Sequence, residues 1–419
     1  MKILFVNATD IRGGAAQAAQ RIAGAVRGAG AEVRFLVKER SGPPAEAMVT
    51  NALASRLPIL AKMIDRAPVL AYPHGASLFR TLNFSPAWAR GADTAERINR
   101  IGADIVHLHW VNYGLLGPEG IARIRAPVVW TLHDMWPFTG GCHYSGGCAR
   151  YGDRCGLCPV LGSRSQTDLS RRLLDRKLRA FAAKPIRVVA PSAWLGTLAQ
   201  SSAVFGQAPV SVIPNPLDTV RFSPGDRSAA RGRLGLPPDV PLILFGAANA
   251  FTNPHKGYAG LRQALEDIAA RPIGPKPHLA VFGADESQRG FAPGGMVTHL
   301  LGRLADPSAV ADAYRAADVF AAPSLQDNLP STVMESLGCG TPVVAFDIGG
   351  MADMIDPGRT GRLVRPGDLA GLADALVEGV GATAQMRAAA RLAAETRFSP
   401  DRVGAAYLRI YEAALAGDQ

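Results

Sequence analysis

Two carboxylates eight residues apart, Asp327 and Glu335, bracket the stretch Asp-Asn-Leu-Pro-Ser-Thr-Val-Met-Glu, which runs on into Ser-Leu-Gly-Cys-Gly-Thr-Pro-Val-Val and then Gly349-Gly350. Asp327 follows the strand-like run 318–322 and a Pro323-Ser324 break, which places it on a loop. Glu335 is expected near the start of the helix that follows, with Ser331 or Thr332 as the cap. A strand, an acid-bearing loop and a helix start put both acids at the carboxyl edge of a sheet. The unpaired amides and positive dipole end of that helix favour a phosphate there. Such an edge suits a nucleotide sugar, with one acid for the sugar, one for the ribose hydroxyls, and the amides around Pro330, Ser331 and Thr332 for the diphosphate. Two acids at this spacing are commonplace on solvated surfaces; the glycine- and proline-marked run behind them argues against that reading here.

Other residues carry weaker signals. Asp10-Ile-Arg-Gly13-Gly14 links the first strand-like run to a helical one. Paired glycines there let a ligand approach the backbone at the helix start, although tight strand–helix turns use them too. His133 ends the run Val-Val-Trp-Thr-Leu-His, where an imidazole can hydrogen-bond a sugar hydroxyl with Asp134 orienting it. His107 and His109 share one strand face. They read as lining an acceptor site, His109 in particular, or equally as hydrogen-bonded core residues. Cys142, Cys148, Cys155 and Cys158 fall within seventeen residues and end in Cys-x2-Cys-Pro. That density fits a tetrahedral structural zinc, two disulfides, or free thiols. Cys339 reads as a small buried residue.

The elements that must position these groups are legible from apolar runs. Strand-like runs fall at 2–7, 32–37, 104–109, 128–133, 187–190 and 210–213, and again at 242–246, 279–283, 298–301, 319–322, 343–346 and 361–364. Helix-like runs alternate with them, which implies parallel sheets covered by helices. A length of 419 residues favours two domains. The proline-bearing segment 213–225 reads as a linker, with the boundary near residue 215. The expected divisions are 1–215, carrying the cysteine-rich loop 141–159, then 216–397, and a final helix over 398–419. Residues 41–100 read as an irregular insertion around Pro43-Pro44 and Ala71-Tyr-Pro-His-Gly75.

Hydrophobic content of 48% with 19% charged residues is that of a soluble globular chain. Charges interrupt every apolar run before it is long enough to span a bilayer, and the first run is too short for a signal peptide. The expected location is the cytosol. The net charge of +10 lacks the aromatic-interleaved or helical basic motifs of a nucleic-acid binder. It fits attraction to a diphosphate and to anionic headgroups at the inner face of a membrane. The basic amphipathic run 170–184 reads either as a surface-lying membrane helix or as an ordinary helix packed on the first domain.

In this order, the glycine loop, His-Asp-x-Trp, Ile-Pro-Asn-Pro, Lys256-Gly and the acid pair resemble the retaining glycosyltransferases of group 1. The resemblance covers nearly the whole chain and is thinnest over 41–100. It implies an α/β architecture of the GT-B type: two doubly wound Rossmann-like domains facing a central cleft, with the last helix crossing back onto the first domain. It also implies transfer of a sugar from a nucleotide diphosphate donor to a saccharide or lipid-linked saccharide, with retention. On the residue level it gives Lys256 and the Ser331–Thr332 amides the diphosphate, Glu335 the ribose, and Asp327 the donor sugar. His133 and Gly13-Gly14 complete the site. The cysteine-bearing loop resembles a branch tied to exopolysaccharide synthesis. The first acid is Asp where the family commonly has Glu. Gly246-Ala-Ala-Asn249 lacks the family's Gly-Arg, leaving Asn249, His255 or Arg303 to compensate. No Asp-x-Asp motif implies a catalytic metal. The rival reading is a non-catalytic nucleotide-sugar or saccharide binder of the same shape.

Overall fold

A computed structural model describes residues 1–41, 47–49, 63–80, 83–88, 91–247 and 249–417. The Pro43-Pro44 pair lies outside the described residues. The chain divides into two compact units, one formed by Met1–Pro216 with Pro400–Gln419 and the other by Leu217–Ser399.

The first unit is built on β1 (Lys2–Thr9), β2 (Glu32–Glu39), β3 (Ala47–Val49), β4 (Ile105–Leu108), β5 (Val128–Thr131), β6 (Ile186–Ala190) and β7 (Val210–Val212). These pair in parallel in the order β3-β2-β1-β4-β5-β6-β7. The order reverses between β1 and β4, and that switch point is where open α/β sheets take ligands. The strands are continuous runs such as Val-Val-Trp-Thr because both faces are covered. One face packs Trp130, Trp136, Phe138 and Phe205; the other packs Phe5, Ile22 and Val26 with Tyr407 and Tyr411.

In this unit the helix α1 (Gly14–Gly28) follows β1, and α2 (Leu169–Phe181) is capped by Asp168, whose side chain accepts from the Arg171 amide at 3.2 Å. Leu173 and Leu174 of α2 are fully buried in the core. The apolar face of the basic run 170–184 is therefore consumed by packing, which corrects the surface-lying alternative. Among the described residues, no helix is long and apolar enough to cross a membrane.

The second unit carries β8 (Leu242–Gly246), β9 (His278–Phe282), β10 (Thr298–Leu300), β11 (Val319–Ala322), β12 (Val343–Phe346) and β13 (Gly361–Val364), in the parallel order β10-β9-β8-β11-β12-β13. Its switch point lies between β8 and β11. Behind the sheet run α3 (Pro307–Ala316) and α4 (Ser331–Gly338).

The chain ends in α5 (Pro400–Ala416), two residues later than the expected start because a separate helix occupies Ala384–Phe398 and Pro400 opens a new one. α5 packs on α1 within the first unit. A Cβ on Gly404 would stand 2.2 Å from the Ala25 carbonyl oxygen, so only glycine permits this approach. Of the irregular region, β3, a 3-10 turn at Ala67–Ala71 and helices at Gly75–Arg80 and Ala92–Ile101 are described.

Candidate functional site: two sheet edges

At the switch point of the second sheet, the loops after β8 and β11 meet. Lys256 lies ten residues beyond β8 and Asp327 five beyond β11. The Lys256 ammonium donates to Asp327 Oδ2 at 2.6 Å, with the two side chains 27% and 14% exposed, so the pair is only half-screened by water. Ser324 Oγ donates to the same carboxylate oxygen at 3.3 Å. The loops touch through backbone as well, the Leu325 amide donating to the His255 carbonyl at 2.8 Å.

Glycine makes this closeness possible. Gly257, in the left-handed region at φ +69°, would set a Cβ 1.8 Å from the Pro323 carbonyl oxygen. Gly349, at φ +55°, would do the same to the Asp327 carbonyl oxygen. Lys-Gly, the first acid and Gly-Gly are thus one packed cluster over three adjacent strands, β8, β11 and β12.

Glu335 lies inside α4 and is 6% exposed. Its Oε2 accepts from the Tyr314 hydroxyl of α3 at 3.3 Å. Neither Ser331 nor Thr332 caps α4: Pro330 holds the cap position, without a side-chain bond. A cap needs an extended backbone, which proline supplies from its ring. Pro330 also has no N–H, so the first-turn donors with no carbonyl four residues back begin at Ser331 and Thr332. Asn249 takes a left-handed conformation at φ 55°, and Arg303 is exposed.

The first sheet edge is different in kind. Gly13 stands in the left-handed region at φ 88° as the residue before α1, and a Cβ on Gly13 or Gly14 would meet nothing within 4 Å. The space at the start of α1 is open. The loop is pinned by buried Asp10, whose carboxylate accepts from the Ile11 and Ser41 amides at 2.9 Å.

His133 lies two residues past β5, and its Nε2 is 3.0 Å from His109 Nδ1. His109 is 2% exposed. Among the described residues, its buried Nε2 has no hydrogen-bond partner. Burial pushes the His133 imidazole down to about 4, against an opposing pull from Asp134. Burial drives His107 and His109 well below the ordinary range as well. These rings are neutral near pH 7 and act by hydrogen bonding rather than by charge.

Asp134 does not orient His133. Its oxygens accept from the Trp136 amide at 2.8 Å, Trp110 Nε1 at 2.9 Å and His143 Nδ1 at 2.6 Å, while His143 Nε2 meets Ser85 Oγ at 2.8 Å. Burial alone would raise this carboxyl; His143 and the bonds from Trp136 and Trp110 outweigh it and hold it below the usual range. The residue instead ties together the loops after β4 and β5. Beneath them, His107 bonds Thr131 Oγ1 and the Tyr411 hydroxyl at 2.7 Å each, and Thr131 bonds the Tyr407 hydroxyl at 2.9 Å. His107 is therefore a core residue, locked from the chain's last helix.

The four clustered cysteines carry free thiols and line one small cavity of about 20 Å³ together with Gly140, Tyr151 and Ser170. Among the described residues, no three His, Cys, Asp or Glu side chains are close enough together to form a ready metal site. Cys339 is a buried core thiol, 4% exposed. Sequence reading missed Tyr314, Ser324, Trp110 and His143. Only Ser324 and Trp110 carried a local signal, being near neighbours of Asp327 and His109.

Paired doubly wound sheets of this topology define the GT-B fold of the glycosyltransferases. The chain belongs to glycosyltransferase family 4, whose profile matches residues 12–221, half of its length, while residues 241–380 match the glycosyl transferases group 1 family. Curated relatives include D-inositol 3-phosphate glycosyltransferase 2 of Catenulispora acidiphila, 36% identical over 65% of this chain and 63% of the relative. A D-inositol 3-phosphate glycosyltransferase of Acidothermus cellulolyticus is 27% identical over 86% of this chain and 75% of the relative. The chain thus spans less than two thirds of the first of these. Solved structures of like fold include sucrose-phosphate synthase from Thermosynechococcus elongatus, with a TM-score of 0.68 at 18% identity over the whole of both chains. Anabaena HepE in complex with UDP-glucose has a TM-score of 0.63 at 19% identity, over 99% of this chain and all of the other. None of these names points specifically to the exopolysaccharide branch.

Proposed function

We propose that the protein transfers a glycosyl group from a nucleotide diphosphate sugar to a saccharide or lipid-linked saccharide, with retention at the anomeric carbon, in the synthesis of a surface polysaccharide. The observation that carries this reading is the Lys256–Asp327 pair at the switch point of the second sheet. Without ligand the two charges neutralise each other. A diphosphate arriving beside the first-turn amides of α4 competes for the ammonium. As the glycosidic bond breaks, negative charge grows on the departing diphosphate and Lys256 stabilises it. Asp327, relieved of its partner, faces the positive charge developing on the sugar. Glu335 holds ribose hydroxyls. In the first unit, neutral His133 hydrogen-bonds a substrate hydroxyl, and the open start of α1 at Gly13-Gly14 receives a polar ligand.

A second reading of the acceptor, an inositol phosphate, is favoured by the names of the curated relatives. Incubation with a panel of UDP- and GDP-sugars and both acceptor types tests these readings. A glycosylated product of unchanged anomeric configuration, read by NMR, supports the proposal. An inverted product removes retention, and binding without turnover favours a non-catalytic binder.

A further inference from the structure

The cysteine cavity lies in a segment the proposed transfer does not use. Its walls are held by a set of bonds between backbone and side-chain groups. Thr139 Oγ1 donates to the Cys142 carbonyl at 2.6 Å, and the Cys148 amide donates to the Ser145 carbonyl at 3.1 Å. The Cys158 amide donates to Asp168 Oδ2 at 2.9 Å, and the Gly156 amide to Ser170 Oγ at 3.1 Å. A Cβ on Gly140 would stand 2.9 Å from the Cys155 Cβ, so glycine is what lets this strand of loop lie against the Cys-x2-Cys turn. Within that turn Leu157, a non-glycine residue, is held at φ 47°. Conformations of this kind persist only where the surroundings over-determine them, and they cluster at functional sites.

Beside the cavity sits a buried cation. Lys177 of α2 is 0% exposed; its ammonium donates to the Thr139 carbonyl at 2.8 Å and to the Trp136 carbonyl, and lies 3.9 Å from the centre of the Trp136 ring. Among the described residues, no carboxylate forms an ion pair with it. A fully buried ammonium with only dipoles around it is costly. Cys142, Cys155 and Asp134 lie near enough to favour its charged form, in that order, against a larger opposing effect of burial. Burial keeps both of these thiols protonated, so the cluster supplies a counter-charge only when it binds as thiolates.

We propose that Cys142, Cys148, Cys155 and Cys158 bind one zinc ion as a tetrahedral thiolate site, with Lys177 as its buried counter-ion. Four soft sulfur ligands and no open position fit a structural zinc. On binding, four thiol protons pass to solvent and no electrons move; Zn2+ with four thiolates carries a net charge of −2, which Lys177 half offsets. Two disulfides would be neutral and leave the ammonium uncompensated. In the metal-free chain the four side chains line the cavity without forming a ready site, so binding requires them to rearrange around the ion. The site also reaches the edge of the first sheet, since His143, next to Cys142, bonds Asp134.

Elemental analysis of the full chain, purified reduced and without chelator, should give one zinc per chain. Cobalt substitution should yield the intense absorption of a tetrahedral thiolate site. Cys148→Ser, at one of the two half-buried thiols, should lose the metal, and Cys339→Ala should keep it. Lys177→Met should weaken retention against a competing chelator by roughly 10–100-fold, as loss of an outer partner does. Protein that neither contains zinc nor takes up cobalt overturns the proposal, as does an unreduced mass showing disulfides among these four cysteines. Both measurements use the wild-type chain, so a variant that fails to fold leaves the test intact.

Discussion

The two sheets share a strand order up to the sixth strand, yet their switch points are furnished oppositely. The second sheet places formal charge there, a lysine and a carboxylate 2.6 Å apart on glycine-packed loops. At the first sheet burial holds the imidazoles neutral, and two carboxylates are occupied within the fold, Asp10 by the Ile11 and Ser41 amides and Asp134 by Trp110, Trp136 and His143. A diphosphate is bound by charge and dipoles, a sugar hydroxyl by neutral donors and acceptors. On the proposed reading, the charged edge of the second unit takes the donor diphosphate with its sugar and ribose, and the neutral imidazole of the first hydrogen-bonds a further substrate hydroxyl.

The largest expected effect comes from the second edge. Glu335→Gln keeps an oxygen acceptor for Tyr314, so the thermal midpoint should hold while kcat/KM falls by about 10²-fold or more. Wild-type turnover in this variant would remove Glu335 from the site. At the first edge the loss should be milder. His133→Ala removes the bond to His109 Nδ1 and the proposed neutral hydrogen bond to substrate, the latter about 1 kcal/mol or several-fold in KM for the hydroxyl-bearing substrate. A drop as deep as that of Glu335→Gln would erase the contrast between the two edges.

The contrast extends to stability. Tyr411→Phe strips the partner from His107 Nδ1 inside the first unit, and a buried polar atom left unpaired costs about 1–3 kcal/mol. Urea unfolding should show that loss with the second unit's signal unchanged. Acid should act on the same unit. His133 has a folded value of about 4 against an ordinary 6.5, so between those limits the unfolded chain takes up a proton that the folded chain refuses. That contribution is intact above pH 6.5 and is lost as pH falls towards 4, with His107 and His109 acting in the same direction. Unfolding midpoints that stay level through this window would show that the imidazoles are not buried neutral.

What the sequence revealed follows from range. All twelve strand-like runs occur as strands; the central ones are apolar throughout because both faces are buried, whereas the edge strands β7 and β13 are partly exposed. β3 was missed because three residues carry no pattern. The adjacency of Lys256 and Asp327 follows from strand order, which motif order anticipates. The partners of Asp134 and His107 do not. His143 returns from the cysteine loop and Tyr411 from the last helix, 304 residues from His107, and no local spacing encodes such a meeting. The cap of α4 was misread because Ser331 and Thr332 have the right chemistry while Pro330 has the right backbone.

The Lys256–Asp327 pair is tested most directly by calorimetric titration of the nucleoside diphosphates UDP and GDP into the wild-type protein and Lys256→Ala. The account predicts that one of them binds the wild type and that the variant, still folded, binds it at least about tenfold more weakly, a loss of about 1.4 kcal/mol. Equal affinity in the two proteins would contradict it.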